Sequence, residues 1–379
     1  MAEQTQIISR SIDCLRLPMA VFVVMQHVSP DIANWASISL MNDSSQLLLL
    51  QFIMRFFTIT IAGIAVPMFY AISGYLLFNK SSNTYNKDLY KSQVRKRISS
   101  LVIPYFLWNL IVFLLLYCPG PIIKVSLGYD DKSLLVGLLH SFWKIFSISG
   151  IPIDGPLYFI RNLFFLVLFS PAIHFLIKRL GILSVVFIAT LWLFVDISTD
   201  NPLYSYFKAL PFFMGGAYVG IKKPRLDWLY KNSKLIIYSF VLCIILDSLF
   251  AVGMVDNGFV QKLNNIGYYN EINQFIFRLS NYLGVMAAFC LAGIISFRKR
   301  KYESLNSSVF FIYSFHVVVL SFVGRLGGAF YVFPIGNLIT YIWVYLIFLA
   351  ICIIVPIITY YLCKKFVPRI SLILSGNRK

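Results

Sequence analysis

Of 379 residues, 59% are hydrophobic, 17% aromatic and only 13% charged, and Lys and Arg outnumber Asp and Glu by 33 to 15. A soluble domain carries about a quarter of its residues as charges, so this composition excludes a soluble globule and a disordered chain alike. In so apolar a chain the net charge of +18 points to membrane topology, because basic residues collect in cytoplasmic loops, and not to nucleic acid.

A bilayer crossing needs about 20 mostly apolar residues. In chain order, such runs predict spans at 12–30, 52–78, 98–118, 157–177, 182–197, 204–221, 235–253, 275–297, 306–325 and 338–363. A weaker run at 133–149 contains His140, Lys144 and several Ser and Gly. Charge placement decides whether it spans. If it did, Lys178-Arg179, Lys222 to Arg225 and Arg298 to Lys301 would all face out. If it does not, all three clusters face in, together with Lys364-Lys365, as the positive-inside rule requires. The sequence therefore predicts an all-α polytopic membrane protein of about ten transmembrane helices. Both termini are cytoplasmic, and one extra non-spanning outer helix lies around 133–149. The first span is followed by no small-residue cleavage pattern and reads as uncleaved. With no internal repeat visible, residues 1–379 read as one membrane domain, with no soluble C-terminal domain expected. The six cysteines are scattered without metal-ligand spacing and read as buried thiols. No metal site is expected.

Ionisable side chains inside spans are costly and mark function by default. The first span carries Asp13, Arg16 and His27. Eleven positions at ~100° each bring Arg16 and His27 within about 20° of one helical stripe, roughly 16 Å apart. Asp13 falls on the same stripe, so one polar face runs from the cytoplasmic end of the helix toward its outer end. Near the end of the second span, Pro67 and Ser73-Gly74 allow either close helix packing or close approach of a ligand. Five further cations, Arg55, Arg161, Lys208, Arg278 and Arg325, lie toward the outer ends of spans. Together they suggest an electropositive outer vestibule for an anionic acceptor, beyond the one or two that would simply snorkel. The ninth span holds Tyr313 and His316 about one turn apart, either a satisfied interhelix contact or part of a site.

These pieces, in order, resemble the membrane-bound acyltransferase-3 family, which includes bacterial O-antigen and peptidoglycan O-acetyltransferases. Arg16 followed by His27 matches the family's R-x10-H signature. Phe69 through Ser73-Gly74-Tyr75 is similar to its F-x-x-S-G-[FY] segment, and the basic cluster Arg95, Lys96, Arg97 precedes Pro104. Leu157-Tyr158-Phe159-Ile160 resembles L-W-F-L, with Tyr in the Trp position. Phe212 to Gly216 and Ile312 to His316 resemble later patches. The resemblance implies a multi-pass protein of the bacterial inner membrane. Its activity would be O-acyl transfer, most often of acetyl, from cytoplasmic acyl-CoA to a hydroxyl of a cell-surface or lipid-linked glycan. Acyl-CoA is then the donor substrate, no cofactor is bound, and membrane lipids and the glycan are the partners, with no nucleic acid. The expected catalytic group is His27 as general base, with Arg16 and Asp13. Arg16, Ser73, Gly74, Arg95, Lys96 and Arg97 are expected at acyl-CoA, and Arg55, Tyr158, Arg161, Arg278 and His316 at the acceptor. Direct transfer and an acyl-histidine intermediate both remain open. The competing reading is a polysaccharide exporter or flippase-like transporter, which would also need a polar cavity and broken helices.

Overall fold

The computed structural model describes residues 2–35, 44–79, 85–120, 132–146, 150–195, 203–252, 269–295, 303–330 and 338–377. All regular structure among them is helical. The helices are α1 (Ala2–Trp35), α2 (Ser44–Met54), α3 (Ala65–Phe78), α4 (Lys87–Arg97), α5 (Ile103–Val112), α6 (Lys132–Trp143), α7 (Tyr158–Leu168) and α8 (Ser170–Leu180). They continue with α9 (Ile182–Phe194), α10 (Tyr204–Lys222), α11 (Asp227–Lys231), α12 (Ser233–Val252), α13 (Tyr269–Ile295), α14 (Val309–Phe330), α15 (Leu338–Phe366) and α16 (Pro368–Leu374). Wider π turns at Arg55–Ile61, Ile98–Val102 and Phe113–Tyr117 join α2 toward α3 and flank α5.

The described residues of the predicted spans lie mainly in helices. Among the described residues, six helical stretches are long and apolar enough to cross a membrane: Ser45–Phe78, Lys87–Tyr117, Ser233–Val252, Tyr269–Ile295, Leu305–Gly324 and Leu338–Phe366. The predicted fourth span is a bent pair, with α7 and α8 meeting at 62°. Pro171 opens α8 there, in the first turn where its missing N–H is harmless. α9 has 13 residues, about 20 Å of helix against a hydrocarbon core of about 30 Å.

Local signals place the helix ends. Asn86 caps α4 by accepting from the Leu89 N–H at 2.9 Å, as an N-cap should. Gly181 ends α8 at φ +59°, a conformation that suits glycine. α3 and α10 touch through glycines. A Cβ on Gly74 would stand 2.1 Å from the Phe213 carbonyl oxygen, and one on Gly216 1.8 Å from that of Ala71. Small residues let two backbones approach this closely inside a membrane.

Four polar contacts collect the basic segments at one end of the molecule. Gln4 Nε2 donates to the Pro224 carbonyl at 2.7 Å, and Lys222 Nζ to the Lys178 carbonyl at 3.2 Å. Asn306 Nδ2 donates to the Asp13 carbonyl, and Trp108 Nε1 to the Leu374 carbonyl, both at 3.0 Å. The N-terminus, 178–179, 222–225, 306 and α16 therefore share what we call the basic end. The described part of the segment 133–149, α6 and the short turn after it, is too short to count among the six candidate stretches. α6 and the turn Lys144–Phe146 bring Ile145, with Ile153, onto Val112, Phe113 and Leu116 at the far end of α5. Residues 147–149, the cluster 298–301 and the Arg325 side chain lie outside the described residues.

Candidate active site

A cavity of about 550 Å³ opens at the basic end between α1, α3, α7 and α14. Its polar wall is made of Asp13, Arg16, Ser73, Arg97, Asn306 and Ser307, and its apolar wall of residues such as Phe69, Leu101, Phe159 and Phe310. The sequence places Asp13 and Arg16 one turn apart, and Arg16 Nη1 lies 3.2 Å from Asp13 Oδ1. Both side chains keep about 40% exposure (41% and 38%), so the pair is wet and weakly bound. Asn306 holds the α1 backbone at this point through the Asp13 carbonyl. Arg97 arrives from the end of α4, and its two basic neighbours Arg95 and Lys96 point to the exposed surface. The cavity thus presents two arginines against one carboxylate, a balance that favours an anionic ligand.

Tyr313 sits among the aromatic residues of the lining. Its ring lies 5.9 Å from Phe159, which in turn lies 5.8 Å from Phe69 and 4.7 Å from Tyr70. The Tyr313 hydroxyl donates to the Pro156 carbonyl. Residues three apart share a helix face, so His316 follows Tyr313 one turn further along α14. His316 is fully buried, and its Nδ1 lies 3.0 Å from the Ile312 carbonyl. A carbonyl only accepts, so Nδ1 carries the proton and Nε2 keeps its lone pair. That Nε2 has no hydrogen-bond partner among the described residues. The ring of His27 stands 5.2 Å away, tilted by 45°. Two imidazoles from opposite ends of the chain therefore meet one turn beyond the polar cavity.

The remaining residues singled out from the sequence are distributed differently. Ser73 lines the cavity, whereas its neighbour Gly74 faces α10 with no room for a side chain. Of the two readings open for Ser73-Gly74, ligand approach suits Ser73 and helix packing suits Gly74. Tyr158 packs against the aromatic core next to the cavity. Of the five cations expected toward the outer ends of spans, the four that are described make contacts within the chain. Arg55 forms a two-pronged pair with Asp247, Nε to Oδ2 and Nη2 to Oδ1, both at 2.8 Å. Thr60 Oγ1 donates to the same carboxylate at 2.5 Å. Arg161 donates to the Gly150 carbonyl and lies 3.3 Å from Asn162 Oδ1. Arg278 donates to the Trp192 carbonyl at 3.1 Å and the Val195 carbonyl at 3.0 Å, at the end of α9, and to Gln274 Oε1 at 2.7 Å. Lys208 Nζ stands 5.9 Å from the centre of the Phe277 ring. Arg55 in particular offers no free fork to an acceptor, because both prongs are spent on a carboxylate that is fully buried.

Three polar residues with a structural consequence escaped the sequence reading. Asp247 lies inside the predicted seventh span, and an intramembrane acid is itself a signal that a cation must sit opposite. Asn306 carries no pattern that distinguishes it from any helix-end amide. Asp154 is fully buried just before Gly155–Leu157, and both its carboxyl oxygens lack a hydrogen-bond partner among the described residues. Its N–H donates to Asn109 Oδ1 at 3.0 Å. Burial pushes its carboxyl well above the ordinary carboxylate range, as a low-dielectric setting does to an acid.

Comparison with known proteins agrees with this geometry. The model of a family described as an acyltransferase domain matches residues 9–361. Among curated proteins, the succinoglycan biosynthesis protein ExoH of Rhizobium meliloti (strain 1021) is 24% identical over 180 residues, covering 45% of this chain and 44% of that protein. The chain thus spans less than half the length of this relative. No solved structure matches the chain.

Proposed function

The chain belongs to the acyltransferase-3 family, and from that premise we propose that it moves an acyl group, acetyl in our reading, from acyl-CoA to a hydroxyl of a surface or lipid-linked polysaccharide. The relative named for succinoglycan biosynthesis supports a polysaccharide acceptor. The observation that carries the reading is an arginine-mouthed cavity whose aromatic lining reaches Tyr313, with the buried His316 one helical turn further along α14 and the partly buried His27 in ring contact with it. The basic end faces the cytoplasm, by the charge argument, which puts the cavity mouth where acyl-CoA is found.

Arg16 and Arg97 then bind the phosphates of CoA, and Asp13 and Asn306 hold Arg16 and its helix in place. The thioester points inward past Phe69 and Phe159 toward Tyr313. His27 takes the proton of the attacking hydroxyl, the oxygen adds to the thioester carbonyl, and the C–S bond breaks. The departing thiolate leaves as CoA with that proton, so no net proton is consumed. The free Nε2 of His316 orients the hydroxyl or His27 itself. Placing a base in reach of the nucleophile contributes about 10²–10⁴ in rate. The exporter reading is not favoured, because the family match along the chain is to acyl transfer.

The test uses the full chain in proteoliposomes loaded with labelled acetyl-CoA, with acceptor glycan outside. Label should move to the glycan as an ester, and His27→Ala should reduce that movement by at least a hundredfold. Undiminished transfer by His27→Ala would overturn the assignment of the base. Transfer from succinyl-CoA alone would overturn the choice of acetyl, and movement of unlabelled glycan across the bilayer would restore the exporter.

A further inference from the structure

A second cavity, of about 340 Å³, lies on the other side of the wall formed by α1 and α3. Ile72 lines both cavities, and Ile12 lines the second beside Asp13 of the first. Its chemistry is the opposite of its neighbour's. Ile8, Val185, Pro211, Val219, Val285 and Phe289 set its character, and it has no charged lining residue. It has the volume of a small-molecule site, which runs from about 300 Å³ upward.

Close-packed protein interiors do not leave such a void unfilled without losing contacts along its whole lining. The backbone shows that it is not merely the space that helix packing requires. Gly216 is pressed against α3, but a Cβ on its neighbour Gly215 would meet nothing within 4 Å. Along α10 the lining runs from Pro211 to Val219, about 12 Å at 1.5 Å per residue, against about 15 Å for the hydrocarbon depth of one leaflet. The cavity also opens sideways, at α9, where Val186 lines it and keeps 51% exposure.

At the basic end the cavity adjoins a small polar recess. The two share Ile8, Tyr75 and Val219, and the recess adds Asn79, Gln4 and Lys223. Charges around this mouth are unevenly matched. Arg225 is paired with Asp227 at 2.9 Å and Lys222 donates to the Lys178 carbonyl. Lys223 is exposed, and no hydrogen bond or ion pair engages its ammonium among the described residues. Apolar depth of one leaflet, a lateral opening and a lysine at the interface describe the outline of an anionic lipid, since a basic pocket at the cytoplasmic surface is where acidic head groups bind.

We propose that this cavity holds one acyl chain of an anionic glycerophospholipid from the leaflet at the basic end, with its phosphate on Lys223. The bound chain backs α3 behind Ile72 and so supports the wall that carries Ser73. The assignment stands on the cavity and its mouth and does not depend on the acyl-transfer reading.

The full chain is purified in mild detergent from membranes containing phosphatidylglycerol and phosphatidylethanolamine, washed to remove loosely held lipid, and examined by native mass spectrometry. The wild type should keep phosphatidylglycerol at about one molecule per chain. Gly215→Leu, whose Cβ enters open space at the lining, should lose at least tenfold of the retained lipid, and Val185→Phe should do the same from the facing helix. Should Gly215→Leu fail to give folded protein, Val185→Phe decides alone. Lys223→Gln should keep the chain site but lose the preference for phosphatidylglycerol several-fold. Retention unchanged by either filling variant would overturn the proposal. So would equal retention of both head groups by the wild type, or a retained isoprenoid diphosphate or detergent molecule in place of the glycerophospholipid.

Discussion

Arginines at the two ends of the molecule meet opposite fates. At the basic end Arg16 and Arg97 line a polar cavity, and Arg16 has only a half-exposed aspartate for company. At the far end Arg55 is locked onto a buried aspartate, and Arg278 closes the carbonyls at the end of α9. All four would look alike as cations in or beside apolar runs. The difference teaches that an intramembrane cation indicates a ligand only when the chain has left part of its hydrogen-bonding capacity unused. Where a carboxylate or a helix end has already taken that capacity, the same residue type is scaffold.

That contrast can be broken at either end. The largest effect should follow from Asp247→Leu, which strands the Arg55 guanidinium. Removing one partner of a buried pair costs about 3–5 kcal/mol, and equilibrium unfolding in detergent should show it. Replacing both partners, Arg55→Met with Asp247→Leu, should recover most of the loss. An unchanged unfolding curve for Asp247→Leu would return Arg55 to the list of acceptor ligands.

Next, Arg16→Gln should raise the KM for acyl-CoA on the order of tenfold to a hundredfold, the range for a lost charged hydrogen bond. The melting temperature should hardly move, because the side chain is half exposed. Arg16→Lys should fall between, since it keeps the charge and loses the fork. A KM for acyl-CoA that ignores Arg16→Gln would remove the donor from this cavity.

Arg278→Gln should lower stability by about 1–3 kcal/mol, because buried carbonyls lose their donor, while the KM for the acceptor stays constant. A changed acceptor KM in a protein of normal stability would revive an electropositive outer vestibule. The smallest effects belong to α4. Arg97→Gln should raise the acyl-CoA KM several-fold, and Arg95→Gln and Lys96→Gln less than twofold. Equal effects at all three would mean that the cluster acts through its summed charge and not through the one side chain that lines the cavity.

The legible part of the site was the part written within single helices. Periodicity alone places Asp13 and Arg16 together and aligns His27 with them, since angle and rise follow from the helix. It also sets Tyr313 one turn before His316. What periodicity cannot convey is which helix lies opposite. His27 meets His316, and Arg55 meets Asp247, across sequence gaps that no local pattern bridges. Adjacent residues can also part company: Ser73 and Gly74 point to different neighbours because one residue step turns the helix by about 100°. For the weak run at 133–149 charge bias, not hydropathy, argues against a crossing, and its described helix packs against the far end of α5.

Composition and charge by themselves determined that this is a helical membrane protein, and the spacing of a few polar residues determined one face of its first helix. These are properties of apolar run length, of the 3.6-residue turn and of the electrical asymmetry of membrane insertion, all of which are local in the chain. Only the tertiary structure decided which cations remain available, which glycines are contacts, and that a polar and an apolar cavity stand back to back on α1 and α3. Those outcomes depend on which side chains are brought within bonding distance, and that is settled by the packing of helices remote in sequence.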